Sequence, residues 1–190
     1  DTRGVFLDIS KAFDRVWHDG LIFKLKSYGV SGSLLLLIQN FLHGRRQRVV
    51  LDGQASDWTE VLAGVPQGSI LGPLFFLIYI NDLPEGIISM IKIFADDSCL
   101  FSLILDHMRC SQELNSDMQK ISEWAHQWKM SFNPDPSKQA VEVYFTRRLN
   151  PADPQKLFSI MQPLQFRIIK NILVSYSIKS WPLTVTLMKK

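Results

Sequence analysis

The chain has 190 residues, 46% hydrophobic and 21% charged, with a net charge of +3. That composition is ordinary for a globular protein and argues against intrinsic disorder, and the length suits one domain with a full core, with or without a tail. A pI near 8.9 permits a polyanionic partner without requiring one.

Gly4-Val5-Phe6-Leu7 is an apolar run too short for a helix and reads as a buried strand ending at Asp8. Asp19 is placed to cap a helix with Leu21, Ile22, Leu25 and Tyr28 on one face, stopped at Gly29. Ser31 opens a second helix, with Leu34, Leu35, Ile38, Phe41 and Leu42 inward and Gly44 at its end. Asp52-Gly53 suits a type I′ turn and predicts a hairpin pairing Arg48–Leu51 with Gln54–Leu62. Gly64 to Gly72 is a glycine-punctuated loop, and Pro73 sits near the start of a helix running to about Asp82. Ile91–Phe94 and Ser98–Ser102 predict a second hairpin with Ala95-Asp96-Asp97 at its tip. Leu114, Met118, Ile121, Ala125 and Trp128 form a helical stripe, with Trp124 beside it. Val141, Val143 and Phe145 alternate with Glu142 and Tyr144 as in a half-buried strand. This order predicts an α+β domain built on an antiparallel sheet.

Cys99 and Cys110 are too few for a disulfide framework and read as reduced thiols of an intracellular protein. The longest apolar runs, Leu34–Ile38 and Leu74–Ile80, fall short of the roughly 18–20 residues that span a bilayer, so no membrane segment is expected. The chain begins Asp1-Thr2-Arg3 in what reads as mid-strand, which suggests a fragment.

An Asp-Asp pair by itself is most often a turn or cap. Here Asp8 closes one apolar strand and Asp96-Asp97 lies between two others. A cluster of three carboxylates is costly without a cation. Such hard oxygen ligands suit Mg²⁺, and paired metal ions are the usual machinery of in-line phosphoryl transfer.

Four segments then carry a specific resemblance. Phe6-Leu7-Asp8-Ile9-Ser10-Lys11-Ala12-Phe13-Asp14-Arg15-Val16-Trp17-His18 resembles the first palm motif of LINE-type, non-LTR reverse transcriptases. Gly64-Val65-Pro66-Gln67-Gly68-Ser69-Ile70-Leu71-Gly72-Pro73-Leu74 resembles the second, followed by Tyr79-Ile80-Asn81-Asp82-Leu83-Pro84. Phe94-Ala95-Asp96-Asp97 resembles the third. Trp124 through Trp128 to Asn133-Pro134-Asp135-Pro136-Ser137-Lys138 resembles the fourth. The four are collinear across residues 1–147, and jockey-like elements are the nearest group.

The resemblance implies a palm-like antiparallel sheet with packed helices, part of a right-hand polymerase. It implies that Asp8, Asp96 and Asp97 hold two Mg²⁺ ions (Mn²⁺ being a substitute), with the Ile9 carbonyl as an extra ligand. Phe13 would crowd a ribose 2′-hydroxyl, Gln67 and Gly68 would wall the nucleotide pocket, and Lys138 would assist the pyrophosphate leaving group. Core packing for Phe13, a helix-entry turn for Gln67-Gly68 and a solvated surface for Lys138 are the plain alternatives. Arg45, Arg46 and Arg48 read equally as a solvated face or as a grip on template or primer phosphates. Asp14 is assigned only local hydrogen bonding, and His18 packing near the following helix.

The implied activity is RNA-directed DNA polymerisation, with RNA template, DNA primer or target and dNTPs as partners, in a ribonucleoprotein of nucleus and cytoplasm. The alternative is a catalytically inactive pseudogene remnant or a nucleic-acid-binding fragment. An RNA-dependent RNA polymerase fits less well with Phe13 and the Phe-Ala-Asp-Asp turn. The fingers that precede the first motif in a complete enzyme of this family are expected to lie outside these residues, and the resemblance stops near Arg147, leaving residues 148–190 as a divergent tail. Regrouping the codons of Ile172-Leu173-Val174-Ser175-Tyr176-Ser177-Ile178 by one base allows His-Leu-Gly-Val-Ile-Leu-Asp, a string typical of the family. The same shift near Ser159-Ile160-Met161 allows Phe-Asn-Asn. A one-base frameshift near Phe158 would therefore make residues 159–190 non-native.

Overall fold

The computed structural model describes residues 1–133, 140–146 and 167–172. In chain order the elements are β1 (Thr2–Asp8), a 3-10 turn (Ala12–Arg15), α1 (His18–Ser27), α2 (Gly32–Leu42), β2 (Arg46–Gln47), β3 (Val50–Leu51), β4 (Gln54–Ala55) and β5 (Thr59–Glu60). They continue with α3 (Leu71–Ile80), β6 (Met90–Phe94), β7 (Asp97–Leu103), α4 (His107–Gln127), β8 (Val141–Phe145) and β9 (Arg167–Ile172). Packing divides the chain into two units. The first takes residues 1–10, 84–124 and the described residues from 131 onward; the second takes residues 11–83 and 125–130.

In the first unit a five-stranded sheet runs in the order β6-β7-β1-β8-β9. It is antiparallel from β6 to β8, as the sequence predicts, and β9 joins parallel to β8. Along β1, Arg3, Val5 and Leu7 are buried on one face while Phe6 on the other is exposed; Gly4, also on that other face, is buried because the Phe101 and Phe145 rings cover it. Leu114, Met118 and Ile121 of α4 are buried as their spacing predicts. Asp117, on the same helix, accepts the Ile88 and Ser89 N–H groups at 2.8 Å each, ordering the entry to β6.

The expectation of a half-buried β8 is corrected, because Glu142 and Tyr144 are buried with Val143. Arg3 is the reason. Its Nε donates to Glu142 Oε1 at 2.7 Å, its Nη2 donates to the same oxygen, and its Nη1 donates to Ser111 Oγ on α4 at 2.6 Å. Two charges removed from water are tolerable only when they meet each other and further donors or acceptors, and this pair does both.

In the second unit α1 packs against α2 and α3. Leu21, Ile22 and Leu25 face Phe75, Phe76, Tyr79 and Ile80 in a shared core. Buried Lys24 is satisfied by the Tyr79 carbonyl, by Asp82 Oδ1 at 2.5 Å and by the Trp128 ring, whose centroid lies 3.7 Å from Nζ. Ala125 and Trp128, the end of the α4 stripe, are buried in this unit, and Tyr79 donates its hydroxyl to the Trp128 carbonyl at 2.5 Å.

Several local expectations are corrected here. The N-cap of α1 is Trp17, and Asp19 sits in the first turn, where its charge complements the helix dipole. Tyr28 falls past the end of α1 and is exposed. Ser31 does precede α2, but only Ile38 and Leu42 are buried, Leu35 and Phe41 are half-buried and Leu34 is exposed, because α1 and the Phe75 ring of α3 cover only part of the helix surface. Asp52 and Gly53 take positive φ values of 48° and 78°, the signs of a type I′ turn. The hairpin they close breaks into two short ladders, β3–β4 and β2–β5, whose residues are all exposed. With neither face covered, no packing holds a longer ladder. The α3 helix ends at Ile80, two residues early. Lys138 lies outside the described residues, as does most of 159–190; the segment Arg167–Ile172 is described as β9.

Removing one partner of the Arg3–Glu142 pair leaves the other charge buried. Glu142→Ala should lower unfolding stability by about 3–5 kcal/mol in urea titrations, whereas Arg3→Met with Glu142→Leu should recover most of the loss. Equal losses in the single and double variants would show that the pair is not what stabilises this face.

Candidate active site

Pairing of β1 with β7 sets Asp8 directly opposite Asp97, and pairing of β6 with β7 sets Phe94 opposite Asp97. The turn between those strands is therefore Ala95-Asp96 alone, and Asp97 is the first residue of β7 rather than part of the tip. Ala95 takes φ +53°, uncommon for a residue with a Cβ, while Asp96 does not, the sign pattern of a type II′ turn. The Asp96 carbonyl accepts the Ile9 N–H at 3.4 Å. The tip is thus tied to the residue that follows Asp8.

The end of β1 is held from its other side by residues 131–133. Ser10 N–H donates to the Ser131 carbonyl and Asn133 N–H to the Asp8 carbonyl, both at 2.9 Å, around an Ile9–Phe132 bridge. None of these bonds uses the Ile9 carbonyl. The Asn133 side chain donates from Nδ2 to Asp8 Oδ2 at 3.0 Å.

Asp8 and Asp97 open onto a groove of about 650 Å³ along the sheet, also lined by Phe6, Lys92, Phe94 and Phe101. Gly4 belongs to the same face; a Cβ there would meet the Phe145 ring at 3.0 Å. Cys99 lies in the groove as an apolar group, since burial pushes its thiol pKa up to about 12 and leaves no thiolate at neutral pH.

Carboxylates directly opposite one another on adjacent strands repel. Among the described residues none of Asp8, Asp96 and Asp97 lies within ion-pair distance of a lysine or arginine. No three acidic, histidine or cysteine side chains among the described residues gather into a ready-made cage either. An all-oxygen pair open to a groove, with one oxygen already hydrogen-bonded, fits a hard divalent cation that completes its shell with water and substrate phosphates.

The remaining candidates belong to the second unit. Phe13 stacks on Phe76, with ring centroids 4.6 Å apart, and its carbonyl accepts the Val65 N–H at 2.8 Å. Gln67 Nε2 donates to Asp14 Oδ1 at 2.8 Å, which gives Asp14 the local hydrogen bond expected of it and orients the Gln67 amide. Gly64 takes φ +94°, and a Cβ there would lie 2.8 Å from the Asp14 carbonyl oxygen, so a glycine is required on two counts. Gly68 also has positive φ but faces open space. His18 is buried beside this loop, with Nε2 2.7 Å from the Gly64 carbonyl; burial lowers its pKa, consistent with a neutral ring donating from Nε2.

Arg45, Arg46 and Arg48 are exposed and each has a local partner. Arg45 lies over the Phe41 ring, Arg46 faces Glu60 at 3.7 Å, and Arg48 lies 4.6 Å from the Trp58 centroid. In the first unit Asn133, bound to Asp8, is a residue to which the sequence assigned no role. Its place in the fourth motif was the available signal.

Residues 1–175 match the family model for reverse transcriptase (RNA-dependent DNA polymerase). The chain is 35% identical over 170 residues to the probable RNA-directed DNA polymerase from transposon X-element of Drosophila melanogaster, covering 85% of this chain and 18% of that protein. It is 39% identical over 137 residues to the RNA-directed DNA polymerase from mobile element jockey of Drosophila funebris, covering 67% of this chain and 15% of that one. The chain thus spans less than a fifth of the length of these relatives. Among solved structures, apo telomerase from Candida tropicalis, truncated from its C-terminal domain, aligns with a TM-score of 0.53 at 13% identity. That alignment covers 74% of this chain and 30% of telomerase, and it supports the shared fold.

With divalent cations chelated, Asp97→Asn should raise the thermal unfolding midpoint, by the equivalent of ~0.5 kcal/mol, because it relieves a like-charge cross-strand pair. Millimolar divalent cation should then raise the midpoint of the wild-type chain more than that of the variant. An equal response in both would exclude this pair as a cation site.

Proposed function

This chain belongs to the reverse transcriptase (RNA-dependent DNA polymerase) family, and on that premise we propose that it forms the palm portion of an RNA-directed DNA polymerase of a jockey-like, non-LTR retrotransposon. The observation that carries the reading is the opposition of Asp8 and Asp97 across adjacent strands at an open groove, with Asp96 in the adjoining turn. Asp8 and Asp96 would be the principal ligands of two Mg²⁺ ions, with Asp97 and the Ile9 carbonyl contributing. Bound there, the ions would lower the pKa of a primer 3′-hydroxyl and stabilise charge developing on the α-phosphate. The substrates are dNTPs, the template is RNA and the primer DNA, and the setting is a nuclear and cytoplasmic ribonucleoprotein.

The roles proposed in the second unit follow from chemistry at each residue. Phe13, braced by Phe76, presents a rigid ring that excludes a ribose 2′-hydroxyl by bulk. Gln67, oriented by Asp14, offers an amide to the nucleotide, and Gly68 lets the backbone come close to it. Lys138 supplies charge to the departing pyrophosphate. Arg45, Arg46 and Arg48, all exposed, contact template or primer phosphates without reading sequence.

The test is primer extension on an RNA template by the complete polymerase that carries this chain. Asp97→Ala should reduce extension by more than about a hundredfold, since a direct ligand should matter at least as much as the residues that support it. Extension that survives the substitution sinks the metal assignment. Phe13→Ala should narrow the preference for deoxynucleotides over ribonucleotides by roughly tenfold or more, the scale at which steric selection operates. An unchanged preference returns Phe13 to core packing.

A further inference from the structure

We propose that Asn133 is a positioning residue for the Asp8 carboxylate, selecting which of its oxygens is presented to a divalent cation. The inference rests on the reading of Asp8 as a metal ligand and adds a residue to that site.

Three observations carry it. Asn133 Nδ2 donates to Asp8 Oδ2 at 3.0 Å, which occupies one oxygen and leaves Oδ1 for another partner. The backbone of Asn133 is bound to the same residue, its N–H donating to the Asp8 carbonyl at 2.9 Å. The Ser10–Ser131 bond and the Ile9–Phe132 bridge flank that contact, so the origin of the Asn133 side chain is fixed relative to the strand end it serves.

The chemistry of the amide is suited to this task. Asp97, directly opposite, repels the Asp8 carboxylate and favours rotamers that turn it away. A hydrogen bond from a fixed donor opposes that rotation. A lysine or arginine would hold the carboxylate equally well but would neutralise the charge that attracts a cation. An amide donates without adding charge, as outer partners of ligating carboxylates do at metal sites.

The experiment follows Mn²⁺ binding to the complete chain by electron paramagnetic resonance, with thermal unfolding measured alongside. Asn133→Ala retains the backbone N–H, so the strand contact and unfolding midpoint should persist while the apparent Mn²⁺ dissociation constant rises about tenfold or more. Asp8→Asn is the control for the underlying reading: if it binds Mn²⁺ as the wild type does, Asp8 is not a ligand and that reading fails. If Asp8→Asn loses binding and Asn133→Ala does not, the ligand stands and the positioning role is overturned. A second measurement needs no change at Asn133. In ¹H–¹⁵N spectra the Asn133 side-chain amide should shift as Mg²⁺ is added to the wild type and stay still in Asp8→Asn. An amide that does not respond while Mg²⁺ binds also overturns the proposal.

Discussion

The register of β1 is the constraint on which the rest of the first unit depends. Arg3, Val5 and Leu7 point to the buried face, Phe6 and Asp8 to the groove, and a one-residue slip would exchange the two sets. Apolar packing alone would resist such a slip only in part, since Phe6 could replace Val5 or Leu7 inside. The Arg3–Glu142 pair resists it more strongly, because a slip would turn Arg3 to the other face and leave the Glu142 carboxylate buried without its partner. A buried ion pair on one face of the strand thereby holds a carboxylate in place on the other. The same register that satisfies Arg3 sets Asp8 against Asp97.

Around that strand end the local rules of stability are broken in concert. Two carboxylates face each other, and an alanine takes the backbone conformation that glycine prefers. Surrounding bonds compensate: the tip is tied through Asp96 to Ile9, and residues 131–133 hold Asp8 to Ser10. The second unit uses the same device with neutral partners. Gly64 N–H donates to the Val16 carbonyl and Val65 N–H to that of Phe13, so the loop carrying Gln67 is fastened to the turn carrying Phe13 and Asp14. In both units, motifs far apart in sequence are direct hydrogen-bond partners.

How far the sequence was readable depended on the range of each signal. The α4 stripe was legible because Leu114, Met118, Ile121 and Ala125 recur at helical spacing, and every one is buried. The Asp52-Gly53 turn was legible because its φ requirement is local. On α2, by contrast, four consecutive leucines satisfy any face, and only the neighbour that packs there decides which side is covered. Glu142 read as a solvent-facing residue, because alternation assigns it to the polar side and nothing nearby announces Arg3. Asn133 stood in plain view within a motif, but its partner lies 125 positions away.

By itself the sequence determined the α+β class, the strand ending at Asp8, the acidic hairpin and the glycine loop, since periodicity and turn chemistry are written within a few residues. Tertiary structure alone decided that β1 lies between β7 and β8, and hence that Asp8 meets Asp97, Arg3 meets Glu142 and Asn133 reaches Asp8. These are pairings across as many as 139 positions. They are selected by the joint satisfaction of buried charge, backbone hydrogen bonds and covered apolar faces, and no short segment encodes that sum.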